Sequence, residues 1–89
     1  MAICTDAISE EEWDILRWSL DLSLLQTEIV KRLFRGKSYR EIAREMAIRP
    51  RTVRTVVNRL CREFGVSNRV QLVLHVLTVL REHWEEEGE

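Results

Sequence analysis

Between Pro50 and Phe64 the residues Arg51, Arg54, Thr55, Asn58 and Arg62 recur at three- and four-residue spacings. On a helix advancing roughly 100° per residue, they fall within about 60° of Arg51, and Arg59 lies just outside that arc. Val53, Val57, Leu60 and Phe64 cluster on the opposite side, flanked by Val56 and Cys61. One face of such a helix is built to be buried. The other offers guanidinium, amide and hydroxyl groups, the donors that bond phosphates and the edges of bases. No Asp or Glu shares the polar arc, and Glu63 lies off to its side.

Other chemistries find less support. Cys4 and Cys61 lack metal-ligand spacing, and Cys61 reads as a small buried apolar residue. His75 and His83 stand eight apart with no Cys or carboxylate cluster between them, so no metal and no cofactor is expected. Ser19, His75 and Asp21 supply the residue types of a hydrolytic triad, but nothing in their spacing supports one. An enzyme is not expected.

The chain of 89 residues allows one small domain. Its formal net charge of −1 argues at first against nucleic acid. The distribution reverses that inference. Residues 1–30 carry Arg17 against seven acids, a net −6. Residues 31–69 carry twelve Lys and Arg against Glu41, Glu45 and Glu63, a net +9. Residues 70–89 carry Arg81 against five Glu, a net −4. A merely solvated helical surface would alternate signs, and twelve against three is not alternation. No apolar run approaches the roughly 20 residues that span a bilayer, and the segment from Met1 to Asp6 lacks the features of a secretory signal. The expected location is the cytoplasm, with no membrane partner.

With three Gly and one Pro, the chain favours helices. Ser9 with Glu12, Ser23 with Gln26 and Ser38 with Glu41 are capping boxes, each opening a helix. Gly36 and Gly65 are stop signals, and Ile48-Arg49-Pro50 breaks one helix and starts another. Ser67 is expected to cap the last helix. Five helices follow, over about 9–20, 23–35, 38–47, 50–64 and 67–85, with an acidic tail that frays. Apolar stripes include Trp13, Leu16 and Leu20 in the first, Leu25, Ile29, Val30, Leu33 and Phe34 in the second, and Val70, Leu72, Val73, Leu74, Val76, Leu77 and Leu80 in the last. The third and fourth, joined by a turn of about three residues, form a helix-turn-helix. The fold class is therefore all-α, a compact bundle of helices.

From Leu22-Ser23 to about Leu77 the chain resembles the LuxR/GerE-type helix-turn-helix, the C-terminal DNA-binding domain of many bacterial regulators. The resemblance rests on Leu22-Ser23, Glu28-Ile29-Val30, the run from Gly36 to Ala43, Ile48, Arg51-Thr52-Val53-Arg54, Val57, Leu60, Phe64-Gly65-Val66, Asn68-Arg69 and Gln71. It implies four family helices, here preceded by one extra, and residues 50–64 as the recognition helix. The divisions are 1–21, an extension with a short helix; 22–81, the family domain; and 82–89, the acidic tail. It places Arg54, Thr55 and Asn58 at base edges, with Arg54 best suited to a bidentate contact to guanine. It places Lys37, Ser38, Arg51, Thr52 and Arg69 at phosphates, and Arg59 and Arg62 add reach to the backbone. Glu28 and Glu41 match acids with structural roles, Glu41 as a cap and Glu28 in an internal ion pair. The family's dimerisation through its last helix implies a seam of Val73, Leu77, Leu80 and Trp84.

Three positions depart from the family pattern. Arg49 replaces the usual Ser-type cap, so Pro50 must set the turn. Val56 stands where a polar residue is frequent, extending either the core or a contact. Asn58 stands where some members carry a basic residue, so base preference does not transfer. Family members usually carry a sensing domain upstream, whereas about 21 residues precede the match; the expectation is a stand-alone regulator. Its expected partners are double-stranded DNA, a second copy, and RNA polymerase or another regulator. The competing reading is a protein-interaction module, such as a sigma-region-4-like adaptor, motivated by the acidic ends and by Trp13 and Trp18.

Overall fold

A computed structural model describes residues 8–87, with side chains through Trp84. Cys4, the leading Met1–Asp6 segment and the Gly88-Glu89 end of the tail lie outside the described residues. Five helices follow in chain order: α1 (Glu10–Ser19), α2 (Leu24–Phe34), α3 (Tyr39–Met46), α4 (Pro50–Phe64) and α5 (Arg69–Glu87). There is no strand among the described residues. No helix there is long and apolar enough to cross a membrane.

The first three helices start as their capping boxes require. The Ser9, Ser23 and Ser38 hydroxyl oxygens accept from the N–H groups of Glu12, Gln26 and Glu41. Those three side chains reach back and accept from the serine N–H groups at 2.8–3.0 Å. Two otherwise orphaned donors are satisfied at each start. α4 has no side-chain cap at Arg49; Pro50 occupies its first turn, as the departure at Arg49 required. α5 differs from expectation. Its cap is Asn68, not Ser67: the Asn68 side-chain oxygen accepts from the Gln71 N–H at 3.0 Å. The Gln71 side chain accepts from the Ser67 N–H at 2.7 Å, so Ser67 lies one residue outside the helix.

Four helix ends share one geometry. A left-handed residue, Asp21, Gly36, Ala47 or Gly65, follows each of α1–α4. The next N–H donates back to a carbonyl five residues earlier, from Leu22 to Arg17, Lys37 to Arg32, Ile48 to Ala43 and Val66 to Cys61. These are Schellman closures, which satisfy carbonyls the helix leaves open. At Ala47 a residue with a Cβ adopts φ 56°, a conformation that glycine takes without strain.

Leu16, Ile29, Val30, Ile42, Val53, Val57, Leu60, Leu72 and Val76 form the centre of one core. α1 belongs to it. Leu16 is fully buried, and Trp13 meets the Phe34 ring edge-on at 5.2 Å. α1 packs on α2 and α5, while α4 packs on α2, α3 and α5. The Trp84 indole N–H donates to Glu12 at 2.9 Å, tying the far end of α5 to the start of α1. Several apolar residues expected on stripes face solvent instead, among them Leu25, Val70 and Leu74. α5 turns Leu72, Val76 and Leu80 inward, four residues apart. Leu80, expected in a dimer seam, is thereby corrected to a core residue, 7 % exposed. Val73 is half-buried against the same core, whereas Leu77 and Trp84 remain exposed.

Candidate nucleic-acid interface

α3 and α4 meet through a three-residue turn, Ala47 to Arg49. α4 is anchored by Val53, Val57, Leu60 and Cys61, all buried. Val56 and Phe64 pack half-buried against the core, so Val56 extends the core. Phe64 stacks on His75 of α5, ring centroids 5.0 Å apart. These contacts fix the rotation of α4 about its axis, and so fix what faces outward.

What faces outward is the expected set. Arg51, Thr52, Arg54, Thr55, Asn58, Arg59 and Arg62 are all exposed. None of Arg49, Arg51, Arg54, Arg59 and Arg62 has an ion-pair partner among the described residues. The Thr55 hydroxyl donates to the Arg51 carbonyl at 2.9 Å, leaving its oxygen to accept. Arg69, exposed at the start of α5, holds its guanidinium 5.1 Å from the Tyr39 ring. Asn58, Ser67, Asn68 and Arg69 line a shallow cleft with Tyr39. Residues from α3, α4 and α5 thus present donors beside one another.

Lys37 and Ser38 sit at the amino end of α3, with less freedom than the residues of α4. The Ser38 hydroxyl oxygen and N–H are both engaged by Glu41. The backbone N–H of Ser38 holds the Glu41 carboxylate below its usual range, as befits a cap at a positive helix end. The Lys37 ammonium lies 3.2 Å from Glu45.

Behind this surface runs a chain of ion pairs. Glu10 meets Lys31 at 3.1 Å and Lys31 meets Glu28 at 3.3 Å. Glu28 meets Arg32 at 3.0 Å, Arg32 meets Glu45 at 3.0 Å, and Glu45 meets Lys37. Glu28 is the internal partner expected of it. Burial pushes its carboxyl up, but hydrogen bonds from Arg32 and Lys31 outweigh that and hold it below the usual range. Arg32 is thus engaged on both sides within the fold. Sequence reasoning missed Glu45 and Tyr39. Glu45 lies thirteen residues from Arg32, and Tyr39 meets Arg69 across two helices, so neither pair leaves a local spacing signal.

Cys61 is a free, buried thiol, pushed up by burial and so kept neutral. No group of three or more His, Cys, Asp and Glu among the described residues could hold a metal ion.

No curated protein and no solved structure matches the chain. The family model for bacterial regulatory proteins of the luxR family, GerE, matches residues 20–76, nearly two thirds of the sequence and all of α2, α3 and α4. The match covers the helix-turn-helix of α3 and α4, and the chain belongs to the luxR family of bacterial regulatory proteins, a family of DNA-binding transcription regulators.

Proposed function

We propose that the protein binds double-stranded DNA sequence-specifically, with α4 in the major groove, and regulates transcription as a dimer. The observation that carries this is the outward arc of α4. Four arginines with no ion-pair partner among the described residues stand beside Thr55 and Asn58 on a helix whose opposite face is locked in the core. Arg54, Thr55 and Asn58 read base edges. Arg51, Thr52, Arg59, Arg62, Arg69, Lys37 and Ser38 hold the phosphates. If Lys37, Arg51, Arg59, Arg62 and Arg69 each neutralise one phosphate, log K falls with log salt at a slope of about −4.5 per protomer.

Dimerisation is supported by α5, where Val70, Leu77 and Trp84 repeat at seven-residue intervals and, with Leu74, stay exposed. Trp84 lies beyond the family match, in the part of α5 that reaches α1. A two-fold pair would read half-sites about 34–36 Å apart. The competing adaptor reading is favoured by one observation: Trp18 is 88 % exposed beside Asp14 and Asp21. Selection of random duplexes with the purified protein, followed by sequencing, decides. An enriched motif with two-fold symmetry supports the proposal. Absence of duplex binding at low salt, with a protein partner captured through Trp18, supports the adaptor.

A further inference from the structure

The residues proposed to hold phosphates are not equally free. The cations of α4 have no internal partner among the described residues, but Lys37 is held by Glu45. We propose that Glu45 is an internal stand-in for a DNA phosphate, holding Lys37 in the free protein and yielding it to the backbone when a duplex docks. The inference rests on the DNA-binding reading above and adds an affinity-setting residue to it.

Three features support the exchange. First, Glu45 lies in the last turn of α3, where the negative end of the helix dipole disfavours a carboxylate. Hydrogen bonds from Lys37 and Arg32 offset this and hold its carboxyl below the usual range. Second, the two cations differ in their freedom to leave. The Arg32 side chain is 17 % exposed and is gripped from its other side by the Glu28 carboxylate and carbonyl. The Lys37 side chain is 34 % exposed and makes one ion pair. Arg32 therefore stays with Glu45 when Lys37 departs, and Glu45 is never left unpaired. Third, the Lys37 main chain is fixed, its N–H donating to the Arg32 carbonyl at 3.1 Å in the closure of α2. Only the four-carbon stem needs to swing, between two oxyanions of like charge.

Phosphates are the same in every sequence, so Glu45 lowers affinity for all duplexes alike and leaves the specificity ratio unchanged. The test is a double-mutant cycle with Glu45→Gln and Lys37→Ala, read by fluorescence anisotropy on a selected duplex and on a scrambled one. Glu45 and Lys37 lie outside the core, so circular dichroism should report the folded helical state for all variants. Freeing a surface ion pair should make Glu45→Gln bind both duplexes about two- to five-fold more tightly. Its salt slope should stay close to that of the unaltered protein, because Lys37 neutralises one phosphate in both complexes. In the Lys37→Ala background the same substitution should change neither affinity. Equal tightening in both backgrounds shows a general charge effect and overturns the exchange, as does no tightening in either. If the unaltered protein binds neither duplex at low salt, the DNA-binding reading falls and this proposal falls with it. Binding that ignores Glu45 sinks this proposal alone.

Discussion

Substituting Arg54 separates the proposed recognition from stability. Its side chain is exposed, makes no ion pair among the described residues and caps no helix. Replacing it with Ala in a helix interior removes no core contact and slightly favours helix, so folding stability should change by no more than about 0.5 kcal/mol. Binding should respond differently. A bidentate contact to guanine discriminates by about 1–3 kcal/mol, which corresponds to roughly 5- to 150-fold in affinity for the preferred site. A scrambled duplex offers that contact only by chance and should lose much less. The assay is a pair of anisotropy titrations at fixed salt, on selected and scrambled duplexes, with a chemical melt of each protein alongside. A shift in the sequence selected, confined to one base position in each half-site, is the further expected outcome. Equal losses on the two duplexes would show that Arg54 holds a phosphate instead. Unchanged binding to both, even with Arg51→Ala added, would refute the placement of α4 in the groove.

Leu16→Ala should destabilise the domain by about 2–5 kcal/mol in urea unfolding, because Leu16 is fully buried and α1 is part of the core. A loss under 1 kcal/mol would mean that α1 is dispensable. The carboxyls of Glu12, Glu28, Glu41 and Glu45 are all held below their ordinary 4.5 in the folded state. Their contribution is therefore complete well above pH 4.5 and is lost as pH falls through the lower folded values, so urea midpoints should drop on acidification below about pH 4.5. Midpoints that stay level or rise there would contradict the ion-pair assignments. Gly65→Ala should cost about 1–2 kcal/mol from backbone strain alone, since an added Cβ meets nothing within 4 Å. Ala47→Gly should recover up to about 1 kcal/mol after the greater freedom of the unfolded chain is counted, and thermal melts read both. Leu77→Glu should shift the protein to a lower mass in sedimentation if α5 forms the dimer seam, and an unchanged mass would place the contact elsewhere.

The helix starts were legible because they are written within four residues: Ser9 to Glu12, Ser23 to Gln26 and Ser38 to Glu41 all close as expected. The outward arc of α4 was legible for a similar reason, since a 3.6-residue period sorts Arg54 from Val53 without reference to the rest of the fold. What depends on other helices was not. Leu80 and Leu77 both fit an apolar stripe, and only the way α5 leans on its neighbours decides that Leu80 is buried and Leu77 is not. Ser67 and Asn68 are both good caps; Gln71, placed three residues after Asn68, decides between them. Ala47 hides its left-handed turn because the residue type argues for helix, and the Ile48 N–H to Ala43 carbonyl bond overrides it. Glu45 hides its partners because both come from α2 or the turn after it.

The outer arc of α4 carries an evolutionary consequence. The Arg54 and Asn58 side chains neither fill the core nor close a helix end. Substitutions there fall in the class that shifts stability by less than about 0.5 kcal/mol, while with α4 in the groove as proposed each would alter base preference. On that proposal, selection would move the chain from one operator to another in single steps, each intermediate remaining folded. Val53, Val57 and Leu60, on the same helix, allow no such drift.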